Sequence, residues 1–412
     1  MNPVTDRRTC AAWDAEDPMA FARERFVLPQ GVIYLDGNSL GPLPRDAFAR
    51  LAQVTAREWG EHLITSWNLN GWIDLPARVG EKIAPLVGAA PGQVIVTDST
   101  SVNLFKCAAA ALAMRPGRRA IVATRGDFPT DLHILQGLRE ALGDVELRFV
   151  EEDGIEAALE GAALLLLTHV HYRTGRIRDM AELVRRAHAA GALTLWDLSH
   201  SAGVIEVALD ACRADFAVGC GYKFLNGGPG APAFVYVAER HQAAVRQPLS
   251  GWLGHARPFD FVDAYEPAPG VNRMLCGTPP VLSLAALETG IDTFDGVDMA
   301  AVRAKAGRLG DLFIALVEQR LPGGGFELAS PREASARGGQ VSFRHPEAYP
   351  VVQALIERGV IGDFRAPDVA RFGFAPLYVR FVDVWDAVQR LVEVMQAEAW
   401  RDPRWAARKA VT

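Results

Sequence analysis

The sequence predicts an α/β protein whose large domain is built on a mainly parallel sheet, followed by a smaller C-terminal α+β domain. Between about 94 and 240, short apolar runs alternate with helical segments. Strands and helices that alternate in this way form a mainly parallel sheet covered by helices on both faces. From about 290 the pattern changes to helices with only a few strands. With 412 residues the chain is also longer than one usual domain.

The elements follow in order along the chain. A short strand at 32–36 and a helix at 47–59, with Pro44 near its start, precede the sheet. Six runs are predicted as strands of the large sheet: 94–97, 120–123, 164–168, 192–196, 216–219 and 233–237. The intervening helices are predicted at 104–114, 132–141 and 180–190. In the smaller domain we expect helices at 298–319, 350–358 and 385–399, and strands at 339–344 and 370–380.

Composition and charge exclude several classes of function. The net charge is −6 with acids and bases interspersed, so the chain lacks the clustered basic face of a nucleic-acid-binding protein. The longest apolar stretches, 108–114 and 162–167, are too short to span a membrane. Early acids and the lack of a continuous apolar segment argue against a secretory signal. The five cysteines form no C-x-x-C pair, and we therefore expect a reduced, cytoplasmic protein.

One lysine stands where covalent chemistry is favoured. Lys223 follows the strand predicted at 216–219 and lies in a Gly-rich bend. The other four lysines, at 82, 106, 305 and 409, lie in helical segments or in the C-terminal tail. Ligands bind at the carboxyl ends of strands in such sheets, and desolvation there lowers the pKa of an amine and frees it as a nucleophile. The sequence therefore predicts that Lys223 holds pyridoxal phosphate (PLP) as a Schiff base.

A carboxylate with a suitable position is Asp197, which ends the apolar run 192–196. A carboxylate at the edge of a buried strand needs a partner, because burying it unpaired is costly. A protonated pyridine nitrogen is such a partner, and its protonation makes PLP an electron sink. The alternative interpretation is a structural acid that caps the next turn.

Two further segments follow predicted strands. The hydroxyls and backbone N–H groups of 98–101 open a helix and favour a phosphate, although Ser, Thr and Asp are also ordinary N-caps. The segment Phe128-Pro-Thr-Asp131 offers an aromatic ring for stacking and an acid for a ring edge. It is equally typical of a turn with a helix cap at Thr130 or Asp131.

The order of these features resembles the fold-type-I PLP enzymes, in the branch of class V aminotransferases and cysteine desulfurases. Within that branch the chain resembles the kynureninases from about residue 30 to 390. The stretches that carry the resemblance are Leu35-Asp-Gly-Asn-Ser-Leu-Gly41, Phe128-Pro-Thr-Asp131, His171-Tyr-Arg-Thr-Gly175, Trp196-Asp-Leu-Ser-His200, Gly221-Tyr-Lys-Phe-Leu-Asn226, Gly251-Trp-Leu-Gly-His255 and Thr278-Pro-Pro280. The resemblance implies a seven-stranded sheet in the large domain.

The resemblance also implies a role for each matching residue. Lys223 would carry the cofactor, Asp197 would pair with the pyridinium and Phe128 would stack on the ring. Thr100, Ser101 and Tyr222 would contact the phosphate, and Tyr222 is the candidate proton relay. The residues expected to line the rest of the cofactor are Pro129, Thr130, Asp131, Thr168 and His200.

The remaining implied residues concern the substrate and a second subunit. Arg371 matches the position that grips the amino-acid carboxylate, since a guanidinium forks well onto a carboxylate. Asn38, Ser39 and His62 lie in stretches expected to face the substrate. A homodimer is implied in which Trp252 and Thr278 reach the partner's cofactor. The chain would then comprise an arm with a substrate-facing loop (1–45), a PLP-binding domain (46–290) and a small domain (291–412).

The implied reaction is the hydrolytic cleavage of the Cβ–Cγ bond of L-kynurenine, or of its 3-hydroxy derivative, to anthranilate or 3-hydroxyanthranilate and L-alanine. It belongs to tryptophan catabolism by the kynurenine pathway, which also leads to NAD biosynthesis. A cysteine desulfurase or an amino-acid epimerase of the same class is the alternative. A desulfurase needs a mobile cysteine near the substrate, and Cys276 is the candidate that stays open. A non-catalytic PLP-binding regulator would be expected to lose Lys223 or Arg371.

Three short motifs favour other functions less well. The G-x-S-x-G pattern at 37–41 is that of a serine-hydrolase elbow, but Pro42 and Pro44 delay the helix that the elbow requires. The G-x-G-x-x-A pattern at 228–233 leads into a strand, whereas a dinucleotide site needs it after one. His169 and His171 have no third ligand at a recognisable spacing, so no metal site is expected.

Overall fold

The computed structural model describes residues 6–409, and the parts of the predicted domains at 1–5 and 410–412 lie outside the described residues. The described strands are β1 (Phe26–Val27), β2 (Ile33–Tyr34), β3 (Leu43–Pro44), β4 (Val94–Val96), β5 (Ala120–Thr124), β6 (Glu146–Val150), β7 (Ala162–Thr168), β8 (Leu193–Asp197), β9 (Phe216–Cys220), β10 (Ala233–Val237), β11 (Glu327–Leu328), β12 (Gln340–Arg344), β13 (Val360–Ile361), β14 (Asp363–Arg365) and β15 (Val369–Gly373). The described α-helices are α1 (Arg7–Ala15), α2 (Ala47–Gln53), α3 (Ser66–Leu69), α4 (Leu75–Ile83), α5 (Thr100–Met114), α6 (Pro129–Leu142), α7 (Ile155–Ala158), α8 (Met180–Ala189), α9 (Glu239–Gln242), α10 (Val281–Asp292), α11 (Met299–Arg320), α12 (Ala348–Glu357) and α13 (Phe381–Gln396).

The large domain contains a seven-stranded sheet with the strand order β4-β10-β9-β8-β7-β5-β6. The strands from β9 to β6 are parallel, and β10 runs antiparallel to both of its neighbours. The prediction of a mainly parallel sheet is therefore confirmed, and all six predicted strands are present. Because the parallel strands share one direction, the loops that follow β5, β7, β8 and β9 meet at one edge of the sheet.

The seventh strand, β6, lies at the edge of the sheet and was not predicted from the sequence. Among residues 6–409 it pairs with β5 alone, and its residues are half-buried or exposed. Glu146 and Arg148 alternate with apolar residues in it and form an ion pair with each other. Because β6 is not covered on both faces as the central strands are, it lacks their continuous apolar run.

The apolar core lies on both faces of the large sheet. Along β5, Val122 packs in the cluster on one face, and Ile121 and Ala123 pack in the cluster on the other face. This alternation follows from the two-residue period of a strand. Helix α5 contributes to one face the fully buried Leu104 and Cys107. Continuous burial of both faces explains why the central strands read as unbroken apolar runs.

The small domain is a four-stranded antiparallel sheet, ordered β11-β12-β15-β14, packed against α11 and α12, and α13 packs on these two helices. The strand expected at 370–380 was predicted too long, because it ends at Gly373 and Pro376 follows without an N–H group to donate. The helix expected at 385–399 begins earlier, at Phe381. Asp383 accepts a hydrogen bond from the Arg380 backbone at that start, a capping interaction between residues three apart.

The N-terminal arm packs on the small domain. Strand β2 pairs in parallel with β13, and the Asp14 carboxylate accepts hydrogen bonds from the backbone N–H groups of Phe381 and Val382. A carboxylate at this helix start stabilises it by satisfying free N–H groups. These contacts hold the arm so that the loop after β2 lies where the two domains meet.

The helix expected at 47–59 begins as α2 and continues as a π-helix over Val54–Trp59. Within residues 6–409, no helix is both long and apolar enough to cross a membrane.

Candidate active site

Lys223 lies three residues after the end of β9, at the edge where the strand-end loops meet. Its Nζ atom is 3.1 Å from His200 Nε2. The same Nζ lies 5.7 Å from the centre of the Phe128 ring and 5.9 Å from the centre of the Tyr222 ring. The structure thus brings together four residues that the sequence analysis assigned to one site, although they are up to 95 positions apart along the chain.

Asp197 is the last residue of β8, and its side chain is buried. Its Oδ1 accepts hydrogen bonds from the Ser199 backbone N–H, at 2.8 Å, and from the Ser199 hydroxyl, at 2.6 Å. Burial raises the pKa of Asp197, and the positive charge of Lys223 opposes that rise. The two hydrogen bonds fix the carboxylate at the strand end, where it is available to a cationic partner.

His200 is buried beside Lys223 and stays neutral. Burial lowers the pKa of the His200 ring well below its usual value, and the neighbouring Lys223 lowers it further. A neutral imidazole can accept a hydrogen bond at one nitrogen and donate at the other. Its Nδ1 is buried without a hydrogen-bond partner in the described part of the chain.

Asp131 lies in the first turn of α6, whose first residues are Pro129 and Thr130. Both oxygens of this fully buried carboxylate lack a hydrogen-bond partner among residues 6–409. Burial raises the pKa of Asp131 well above its usual value, and the nearby carboxylates of Asp197 and Asp127 raise it further. Buried polar atoms are normally paired, and such unpaired atoms indicate a place built for a polar group of another molecule.

A buried ion pair supports this edge of the sheet, and the sequence analysis did not identify it. Arg178 donates to Asp127 Oδ1 at 2.8 Å and to the Thr168 hydroxyl at 2.8 Å. The Thr168 hydroxyl also donates to Asp127 Oδ1, at 2.9 Å, and that of Thr124 donates to Asp127 Oδ2, at 2.5 Å. Asp127 precedes Phe128 directly, so its position after β5 was the available signal, whereas nothing local marks Arg178.

The predicted phosphate segment forms the start of α5. The Ser99 hydroxyl caps the helix by accepting a hydrogen bond from the Val102 N–H at 3.3 Å, and Thr100 and Ser101 are its first two residues. The alternative interpretation as an N-cap therefore holds for Ser99. A cavity of about 510 Å³ opens beside this segment. Among the residues that line it are Thr97, Ser99, Tyr222 and Thr278.

Trp252 lies apart from that cavity. It is 37% exposed and lines a surface cavity of about 360 Å³ together with Phe261 and Tyr265. Its ring contacts that of Phe259 edge to face, with centroids 5.7 Å apart. In the single chain, Trp252 is thus part of an exposed aromatic surface.

The Tyr222 hydroxyl stays protonated in the ordinary pH range. The adjacent Cys220 thiol raises the pKa of Tyr222, and burial raises it further. The Tyr222 ring lies near Lys223, and Tyr222 also lines the cavity beside α5. A protonated phenol in this position can donate a proton.

Arg371, on β15, is almost fully buried and already paired. Its Nε donates to Asp363 Oδ1 at 2.7 Å, and its Nη2 bonds the other oxygen of that carboxylate. Its Nη1 donates to the Tyr172 carbonyl at 2.5 Å, and its Nη2 reaches the Ser39 hydroxyl at 3.0 Å. Arg371 therefore joins the small domain, the large domain and the N-terminal arm at one point.

The other two residues expected near the substrate have different surroundings. Asn38 is fully buried next to Ser39, and both polar atoms of its amide lack a partner within the described chain. His62 follows the π-helix, and its Nδ1 lies 2.9 Å from the Asn70 amide nitrogen. Asn70 also donates to Ser66, so these contacts tie His62 to its own segment of a single chain.

Comparisons with known proteins place this geometry in context. Residues 302–391 match the family model described as the kynureninase C-terminal domain. A kynureninase of Burkholderia pseudomallei strain 1106a is 54% identical over 413 residues, which cover 98% of this chain and 99% of the relative. A kynureninase of Pseudomonas fluorescens is 50% identical and covers 99% of this chain and 100% of its own.

Two solved structures with the same fold carry the names of other proteins. The apo structure of a cysteine desulfurase from Thermococcus onnurineus NA1 aligns with a TM-score of 0.76 at 22% identity, covering 92% of this chain and 98% of its own. A C-DES mutant with glycine covalently linked to its PLP cofactor aligns with a TM-score of 0.76 at 18% identity, covering 90% and 99%. At these identities the likeness concerns the fold.

Proposed function

Since this chain belongs to the kynureninase family, we propose that the residues around Lys223 carry out the hydrolysis of L-kynurenine to anthranilate and L-alanine. The expected family, fold class, cofactor and activity are confirmed by relatives that are 50–54% identical over nearly the whole chain. The chain is thus a PLP-dependent hydrolase that acts on a carbon–carbon bond. The roles of single residues are our proposal.

The residues present fit PLP. The unpaired oxygens of Asp131 and the unpaired Nδ1 of His200 lie at the same edge as Lys223, and a ring with polar substituents would satisfy them. Lys223 would hold the cofactor covalently, Asp197 would pair with its ring nitrogen and Phe128 would stack on its face. Thr100, Ser101 and Tyr222 would hold the phosphate, with Pro129, Thr130 and Thr168 beside the ring. When bound, PLP supplies an electron sink for carbanions formed on the substrate.

Lys223, oriented by His200, is proposed to remove the proton from the substrate Cα. The Lys223 amine would stay within reach of the substrate Cα, because β9 and the Gly-rich bend hold its backbone. The neutral His200, 3.1 Å away, orients the Nζ atom by accepting a hydrogen bond from it. Lys223 can then remove the Cα proton as a general base.

Tyr222 is the proposed proton relay. Its phenol stays protonated because its pKa is raised, and its ring lies beside Lys223. After water adds to the γ-carbonyl and the Cβ–Cγ bond breaks, the β-carbon needs a proton. Tyr222 can deliver it, since a positioned phenol is an effective general acid.

Arg371 is proposed to bind the substrate carboxylate, with Asn38, Ser39 and His62 around the rest of the substrate. Its guanidinium is held from two domains, by Asp363 and by the Tyr172 carbonyl, so its orientation is fixed before substrate binds. One Nη1 hydrogen of the guanidinium is left by these contacts and by that to Ser39, and a guanidinium fixed in this way loses little side-chain entropy when it binds a carboxylate.

A homodimer is proposed on the basis of the exposed apolar surface. A groove of about 840 Å³ is lined mostly by apolar side chains of the N-terminal arm and of α10. The aromatic surface around Trp252 adds Phe259 and Phe261, which are 58% and 80% exposed. Exposed patches of this kind mark interfaces. Size-exclusion chromatography with light scattering should give twice the chain mass, and a monomeric mass at assay concentration would reject the dimer.

The cellular setting is proposed from the cysteines and the reaction. All five cysteines are free thiols, which suits a reduced cytoplasm. Hydrolysis of kynurenine belongs to tryptophan catabolism, and its 3-hydroxy product would feed NAD biosynthesis. The cysteine desulfurase alternative is less well supported, because the cysteine desulfurase structure shares only 22% identity with this chain.

The observation that carries the proposal is Lys223 Nζ placed against His200 and the Phe128 ring at the sheet edge that Asp197 terminates. The test supplies the purified protein with PLP and either L-kynurenine or 3-hydroxykynurenine, and measures the products by mass spectrometry. We expect equal amounts of alanine and anthranilate or its hydroxy derivative. A protein that binds PLP and consumes neither substrate would overturn the proposed function.

A further inference from the structure

A buried cluster of charges surrounds Arg371 at the junction of the arm and the small domain. Asp363, on β14, accepts hydrogen bonds from Arg371 at both oxygens. Arg365 donates to Asp363 Oδ2 at 2.6 Å, and the Ser39 hydroxyl donates to the same oxygen at 2.8 Å. Asp36 lies next to the cluster, because its backbone carbonyl accepts a hydrogen bond from the Ser39 N–H at 2.9 Å, and it is the second carboxylate there.

The charges of the cluster balance only while no substrate is bound. The two guanidinium groups of Arg365 and Arg371 carry two positive charges, and the carboxylates of Asp36 and Asp363 carry two negative charges when both are ionised. A substrate carboxylate at Arg371 would add a third negative charge to a site shielded from water. An unbalanced buried charge is costly, and a titratable neighbour commonly neutralises it by binding a proton.

Asp36 is the carboxylate held least firmly. Its Oδ1 is buried without a hydrogen-bond partner within residues 6–409, whereas both oxygens of Asp363 are bonded to Arg371. Burial and the neighbouring Asp363 raise the pKa of Asp36 to about 7, against the opposing charge of Arg371. Of the two acids, Asp36 is therefore the one that can take up a proton near neutral pH.

The other groups around Asp36 do not titrate near neutral pH. Burial raises the pKa of the two neighbouring phenols, so they stay protonated. Burial acts against the ionised form of Asp363, yet Arg371 and Arg365 hold the pKa of that acid below its usual value. The guanidinium groups stay charged. The charged and titratable groups that face Asp36 are Tyr34 on β2, Asp363 and Arg365 on β14, Arg371 on β15 and Tyr378 before α13.

We propose that Asp36 binds one proton when the substrate carboxylate binds at Arg371, so that substrate binding is coupled to proton uptake. This inference rests on the proposed function, because it needs Arg371 to receive the carboxylate. It assigns to Asp36 a positioning role, in which its protonation lets Arg371 accept a second anion while Asp363 keeps the guanidinium in place.

The sign of the pH dependence follows from the charge states. Below about pH 7, Asp36 is already protonated in the free enzyme, and substrate affinity should not change with pH. Above that pH it is ionised when free, and the added negative charge of the ligand raises its pKa in the complex. Each pH unit above the free-state pKa should then weaken binding by up to about tenfold, until the pKa of the complex is passed.

The experiment uses the holoenzyme and the probe 4-(2-aminophenyl)-4-oxobutanoate, which is the substrate skeleton without its α-amine. Without the α-amine the probe cannot displace Lys223, so the proton count is not confused by that exchange. Titration calorimetry at pH 8 in two buffers of different ionisation enthalpy gives the number of protons bound with the probe. We expect uptake approaching one proton per site at pH 8 and close to none at pH 6.

Variants identify the group that binds the proton. Asp36→Asn should bind the probe with no proton uptake and with an affinity that does not change between pH 6 and pH 8. Asp144→Asn, at an exposed carboxylate beside β6, is the matched control and should behave as the parent. Uptake of the same number of protons by Asp36→Asn and by the parent would overturn the proposal. If Asp36→Asn does not fold, the parent alone decides, since absence of proton uptake at pH 8 also overturns it.

A further variant separates this inference from the proposed function. Arg371→Met should weaken probe binding strongly if the carboxylate binds there. If Arg371→Met keeps its affinity, the proposed carboxylate site is wrong and the inference falls with it. If Arg371→Met loses affinity while the parent takes up no proton, the carboxylate site stands and only the role of Asp36 is rejected.

Discussion

Lys223 Nζ lies 3.1 Å from Nε2 of His200, a ring that burial keeps neutral. A neutral acceptor at this distance orients the amine without adding a second positive charge beside it. The contact therefore fixes the position of the amine while the ring adds no charge of its own.

Replacing Asp197 with Asn should remove the negative charge proposed to keep the cofactor ring nitrogen protonated. The Ser199 hydrogen bonds can persist with the amide oxygen, so the fold should survive. We expect kcat on L-kynurenine to fall by about 10²-fold to 10⁴-fold, the range for loss of one group that controls proton transfer. Steady-state kinetics at saturating PLP measure this change. A kcat within threefold of the parent would show that Asp197 does not tune the cofactor.

Replacing Tyr222 with Phe removes a proton donor and keeps the ring that lies beside Lys223. We expect kcat to fall by about 10²-fold or more, while KM changes little, because the phenol acts in proton transfer. Tyr349→Phe is the matched control, since the Tyr349 hydroxyl bonds the carbonyl of Ala407 in the C-terminal tail. Unchanged turnover in Tyr222→Phe would rule out the proton relay.

Replacing Arg178 with Met should leave the Asp127 carboxylate buried without its ion-pair partner. Breaking a buried pair in this way costs about 3–5 kcal/mol of unfolding free energy, which urea denaturation measures. The surface pair Arg185–Glu182 is the control, and Arg185→Met should cost about 0.5 kcal/mol or less. Equal losses in the two variants would contradict the supporting role of the buried pair.

The sequence predicts the large sheet because its central strands are buried on both faces. Each such strand is an unbroken apolar run, and the residues at its end or just after it fall at the sheet edge, where Asp197 and Lys223 lie. The edge strand β6 is half-buried or exposed along its length and shows no such run. The hydrophobic pattern of the sequence therefore predicts fully buried strands more readily than partly exposed strands.

The residues that were missed are partners that only the tertiary structure brings together. Arg178 contacts Asp127, 51 positions away, and no local spacing indicates that pair. Asp363 and Arg371 are eight positions apart on antiparallel strands, and their pairing depends on the register of β14 with β15. The resemblance to a family supplied Arg371 but not the acid that orients it, and this acid appears only in the assembled sheet.

The central claim is that Lys223 holds PLP covalently. Borohydride reduction of the holoenzyme, followed by peptide mapping with mass spectrometry, fixes the cofactor to the lysine that carries it. We predict one phosphopyridoxyl group, on the peptide that contains Lys223, in the parent and in the control variant Lys409→Ala, and none in Lys223→Ala. A cofactor trapped on Lys106 or on any other lysine of the parent, or retained covalently in Lys223→Ala, would contradict the account.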